Sequence, residues 1–159
     1  LLGGEDKGFI SLMEELPRER LALAVNAVAA IRGMLDITSS YAQEREAFGK
    51  PISQFQHLRF KFAEMETKYR LNSAFIKECL NLFQINSLDT GTASMAKLAS
   101  TEAQCEIADT CLQMFGGYGY MKEYPISRAF ADARIQKIYG GTSEIMLELI
   151  SRDSFSNKS

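Results

Sequence analysis

LALAVNAVAAIRGMLDITSSYA, residues 21–42, is the stretch that decides the fold. Leu21, Val25, Val28, Ile31, Leu35, Thr38 and Ala42 recur at spacings of three and four. That spacing places them on one face of a long helix. Upstream, Pro17 either kinks this helix or sits in the first turn of a new one, since it lacks an N–H and fixes φ. Downstream, the helix is expected to end near Phe48-Gly49, with Pro51 just past the glycine.

Ser53 reads as the N-cap of a second helix, whose apolar face runs Phe55, Leu58, Phe62, Met65, Tyr69, Ile76, Leu80 and Phe83. Asn86-Ser87 reads as a turn and cap. A third helix follows, carrying Ala96, Ala99, Ala103, Ile107, Cys111 and Met114 on one face and stopped by Gly116-Gly117. Residues 116–125 read as a loop, 126–138 as a fourth helix opened by Pro125, and 143–153 as a fifth capped by Thr142 or Ser143. No stretch reads as a strand. Long helices on short turns imply an all-α, antiparallel up-down four-helix bundle with an additional short C-terminal helix. The expected organisation is a connector over 1–7, a helical-bundle domain over 8–153 and a frayed tail over 154–159.

The bulk properties fit one globular domain: 159 residues, 46% hydrophobic and 24% charged. A formal net charge of -2 argues against a general electrostatic grip on nucleic acid. Three cysteines without a C-x-x-C pair argue against a disulfide scaffold or structural zinc and favour a reducing compartment. The single His57 has no partners at metal-ligand spacing. No apolar run reads as long enough to span a bilayer, and no signal-peptide pattern opens the chain. The start at Leu1-Leu2-Gly3-Gly4, without Met, hints at a piece of something larger.

Three breaks in the bundle are richer than linkers require. Gly140-Gly141-Thr142-Ser143-Glu144 puts free N–H groups and hydroxyls at a helix start, which suits an anion; alone, it is equally a capped turn. Gln113 through Gly119 follows a helix and not a strand, so its glycines fail the context test for a dinucleotide-binding turn. Arg45 has a planar fork able to clamp a diphosphate, or simply complements a helix C-terminus.

Taken in order, the breaks resemble one family. Arg45-Glu46-Ala47-Phe48-Gly49-Lys50-Pro51-Ile52 with Gln56, Gln113 through Tyr120 continuing to Tyr124-Pro125, and Arg134 through Glu144 resemble three motifs of acyl-CoA dehydrogenases. The likeness runs from about Gly8 to Arg152, the region of that family's C-terminal helical domain. A preceding helical domain and a middle β domain complete such enzymes, and Leu2–Phe9 looks like the junction after the β domain.

The resemblance implies FAD and the oxidation of an acyl-CoA thioester to a 2-enoyl-CoA, as in fatty-acid β-oxidation. A carboxylate removes the α-proton and the β-hydride passes to the flavin. Many members carry that base as the Glu before Gly-Thr, where this chain has Gly140. Others place it early in the first long helix, in a string ending Glu-Arg-Leu. Glu15-Leu16-Pro17-Arg18-Glu19-Arg20-Leu21 is most similar to the long-chain type and assigns the base to Glu19. Glu14 and Glu15 are rivals at other helical angles. Matching implies FAD contacts at Arg45, Phe48, Gln56, Gln113, Met114, Phe115, Gly116, Gly117, Thr142, Ser143 and Glu144, with Arg45 reaching a neighbouring subunit's cofactor. Arg20, Gly140 and Gly141 would border the acyl-CoA. Implied partners are a homodimer or homotetramer and electron-transfer flavoprotein as acceptor. The implied compartment is the mitochondrial matrix in a eukaryote and the cytoplasm in a bacterium. Phe60, Phe75 and Leu82 lie off the core stripe and suggest subunit burial. Competing readings are a non-catalytic scaffold domain of the same fold and an acyl-CoA oxidase.

Overall fold

The computed structural model describes residues 4–155. Five helices follow one another: α1 (Gly8–Glu44), α2 (Gln56–Gln84), α3 (Thr90–Phe115), α4 (Pro125–Gln136) and α5 (Ser143–Phe155). Helix α1 runs straight through Pro17. Ser154 and Phe155, expected in the tail, are helical, while residues 1–3 and 156–159 lie outside the described residues.

Contacts along the helices give their directions. Arg20 on α1 meets Ser94 on α3, and Tyr41 meets Phe115, so α1 and α3 run parallel. Lys68 on α2 pairs with Glu106, and Met65 touches Cys111, so α2 runs against α3. Cys105 meets Ala133 of α4, and Glu102 meets Ser143 at the start of α5. Gly91, near the start of α3, faces Asp153 near the end of α5. Helices α4 and α5 therefore descend α3 end to end and share the fourth column of an up-down bundle, broken at Gly140-Gly141.

Three boundaries differ from the sequence expectation. Helix α1 stops at Glu44, not near Gly49, because Arg45 turns to ψ 120°. A two-stranded hairpin follows, β1 (Glu46–Ala47) pairing with β2 (Lys50–Pro51). Its tip residues Phe48 and Gly49 have φ of 52° and 78°, the positive pair that a two-residue hairpin turn demands. Ser53 is no cap: it lies in a 3₁₀ turn over Ile52–Gln54, and Phe55 occupies the N-cap position of α2 without a side-chain bond. Asn86 makes the α2–α3 turn at φ 54°, but Asp89 caps α3, accepting from the Thr92 N–H at 2.7 Å.

Two clusters fill the interior. Ile31, Met34, Leu35, Ile107, Cys111, Met114, Phe115 and Ile126 form the larger, and Leu21, Ala24, Val28, Ile76 and Cys79 the smaller. By length and composition, α1 does contain an 18-residue window apolar enough to cross a membrane, with mean hydropathy 1.5. Ala24, Ala27, Ile31 and Leu35 of this helix are fully buried in the bundle, and 44% of the window is buried.

Candidate functional site

At one end of the bundle, the α1 terminus, Ile52 just after the hairpin, the end of α3 and the turn that follows it line an open cavity of about 580 Å³. Arg45, Gln113, Met114, Phe115, Gly116 and Gly117 all line it. The local sequence builds this wall. Gly116 follows the last residue of α3 at φ 59°, a conformation open to glycine, and opens a 3₁₀ turn over Gly116–Tyr120. Tyr41 stacks on Phe115 with ring centroids 4.0 Å apart and donates its hydroxyl to the Phe115 carbonyl at 3.3 Å. The Arg45 guanidinium lies 5.7 Å from the Tyr118 ring centroid, and no carboxylate pairs with it among the described residues. Phe48 is 96% exposed at the hairpin tip, edge-on to Phe55. Gln56, next to Phe55, opens α2 and faces solvent.

The remaining candidates lie elsewhere. Ser143 donates to Glu102 on α3 at 2.7 Å, while Gln113 is further along the same helix. The helical rise separates these levels by about 17 Å. Thr142, Ser143 and Glu144 thus belong to a second locality, together with Gly140, Gly141, Glu19 and Arg20. Gly140 has φ 65°, and a Cβ there would stand 2.5 Å from Leu23 Cδ1. Leu23 is one helical turn beyond Glu19, so the Glu19 face of α1 and the Gly140 turn come together. Glu19 is exposed on this chain, whereas its rival Glu15 is held by Arg18 at 3.5 Å. Arg20 is only 4% exposed; it reaches Ser94 Oγ at 3.5 Å, and its Nε has no partner.

Several residues of this second locality escaped the sequence reading. Lys97 is fully buried and donates from Nζ to the Gly141 carbonyl at 2.7 Å. Burial pushes its ammonium pKa down and nearby Arg20 adds to this, against the attraction of Glu102. Burial would raise the Glu102 carboxyl, but hydrogen bonds from Lys137 and Ser143 outweigh it and hold the group below the usual range. A signal was present: Lys97 shares its helix face with Ala93, Ser100, Thr101 and Gln104, which are all interior.

A helical domain with glycine-rich helix breaks at two levels is a class of architecture, and comparison narrows it. Residues 6–155 match the family described as acyl-CoA dehydrogenase, C-terminal domain. The chain belongs to this family. It is 48% identical over 157 residues to the mitochondrial long-chain specific acyl-CoA dehydrogenase of Mus musculus, covering 99% of this chain and 36% of that protein. A crystal structure of acyl-CoA dehydrogenase from Geobacillus kaustophilus superposes with a TM-score of 0.95 at 40% identity, covering 98% of this chain and 41% of that one. A glutaryl-CoA dehydrogenase from Mycobacterium smegmatis in complex with FADH2 gives 0.86 at 26% identity, covering 91% and 37%. The chain thus spans little more than a third of the length of the mouse relative.

Proposed function

We propose that the chain is the C-terminal domain of an FAD-dependent acyl-CoA dehydrogenase, acting on long or branched acyl chains, with Glu19 as the base. The observation that carries this is the juxtaposition of Gly140 with Leu23, one turn from Glu19. It supports Glu19 as the base, because the resemblance implies a carboxylate at one of these two positions and this chain has glycine at 140 and glutamate at 19. Arg45, with no carboxylate partner among the described residues, lines the cavity beside Gln113 and Gly116 and fits a diphosphate-bearing cofactor. The relative solved with FADH2 supports the same choice of cofactor.

In this reading Arg45, Phe48, Gln56 and Gln113 through Gly117 hold one FAD, and Thr142, Ser143 and Glu144 meet another across a subunit boundary. Bound FAD supplies the acceptor for the β-hydride. Glu19 takes the α-proton onto its carboxylate, and Arg20 and the Gly140-Gly141 turn border the thioester. Glu19 is exposed on this chain, so the walls that dry it, and so strengthen it toward a carbon acid, come from the rest of the enzyme. Electron-transfer flavoprotein is the proposed acceptor. The compartment is the matrix in a eukaryote, in keeping with the mitochondrial mouse relative, and the cytoplasm in a bacterium.

The full-length protein carrying Glu19→Gln is expected to keep its flavin absorbance and lose about 10²–10⁴-fold in acyl-CoA oxidation, the worth of a positioned base. Turnover near wild type would move the base elsewhere, with Glu15 next to be tested.

A further inference from the structure

Lys97 is an expensive residue to keep where it is. An ammonium taken out of water is costly unless it is compensated, yet Lys97 is fully buried. Among the described residues its one hydrogen bond is to the Gly141 carbonyl, 2.7 Å away. Its charged neighbours are Glu102, which is already engaged by Lys137 at 2.5 Å and Ser143 at 2.7 Å, and Arg20, a like charge. A methionine would fill the same space without the penalty.

The bond does have a geometric consequence. A trans peptide points its C=O and N–H in opposite directions. Drawing the Gly141 carbonyl inward to Lys97 turns the Thr142 N–H away from it. Gly141 stands at φ 103° and a Cβ there would lie 2.6 Å from Met146 Cε, so the turn is tightly placed. The next amide, Ser143 N–H, is tied back to the Lys137 carbonyl at 3.2 Å.

We propose that Lys97 is a positioning residue: from the core of α3 it fixes the orientation of the Gly141–Thr142 peptide, and so presents the α4–α5 break to the acyl-CoA and flavin. This rests on the function proposed above, in which that break touches both. Lys97 acts through Gly141 and touches no substrate itself.

The test is Lys97→Met in the full-length holoenzyme, read three ways. A residue kept for positioning, and not for stability, gives a Tm within about 4 °C of wild type. Amide hydrogen exchange speeds at least tenfold at Thr142 and Ser143 while the middle of α3 stays protected. Turnover, normalised to folded flavoprotein, falls at least tenfold in kcat/KM. Failure to fold, wild-type exchange at the turn, or wild-type kcat and KM would each overturn the proposal. The exchange readout needs no substrate. It therefore separates failure of this inference from failure of the assigned reaction, which Glu19→Gln tests by itself.

Discussion

Residue chemistry around the second locality is set by who pairs with whom. Glu102 receives hydrogen bonds from both Lys137 and Ser143, joining α3, the end of α4 and the start of α5. Its folded pKa lies below the ordinary carboxylate value. A depressed carboxylate stabilises the fold above its unfolded pKa, and that contribution disappears as pH falls through the folded value. Glu102→Gln is therefore expected to destabilise the protein at neutral pH, and the gap from wild type is expected to close as pH falls below about 4. Chemical denaturation at a series of pH values checks this; a gap constant with pH would mean that the charge contributes nothing. Glu102 and Lys97 were invisible as partners in the sequence, because what joins them to residues 137–143 is the folding back of the fourth column. Glu19 and Arg45 were singled out through the resemblance, Arg45 by its motif and Glu19 by the Glu-Arg-Leu string with a glycine at 140, and their roles are proposals.

Among the elements, the long periodic helices were readable and their ends were not. The stripe from Leu21 to Ala42 is buried as its spacing requires, apart from Val25, which is 36% exposed. Ser53 misled because a 3₁₀ turn over Ile52–Gln54 intervenes, so the first residue able to open α2 is Gln56. The Phe48-Gly49 pair read as a helix stop, but two positive φ values make a hairpin instead. The outward face of α2 also needs correction. Phe75 packs against the smaller core cluster and Leu82 is half-buried, Leu80 and Phe83 of the expected apolar face are exposed at 38% and 40%, and Phe60 and Leu71 are more so at 58% and 68%. These two flank a shallow groove with Ala63 and Thr67. An exposed apolar pair of this kind is the stretch of α2 to test for subunit contact. Phe60→Ser with Leu71→Ser is expected to lower the assembly mass of the full-length protein in sedimentation equilibrium; an unchanged mass would place the interface on another face.

At the scale of the whole molecule, the bundle presents two localities about 17 Å apart along α3. One holds Arg45 and the Gln113–Gly117 turn; the other holds Glu19, Arg20 and the Gly140-Gly141 break. Two localities at different levels of the bundle fit the proposal that other parts of a longer enzyme complete the site, and the chain spans about a third of its mouse relative. The account stands on Glu19 as the proton acceptor, and proton transfer can be watched without oxidation. The full-length protein is incubated in D2O with an acyl-CoA analogue that has an acidic α-hydrogen and no β-hydrogen. Wild type is expected to exchange the α-hydrogen for deuterium, observed by NMR. Glu19→Gln is expected to bind the analogue with similar affinity and exchange it at least about 100-fold more slowly. Exchange by Glu19→Gln at the wild-type rate would contradict the assignment.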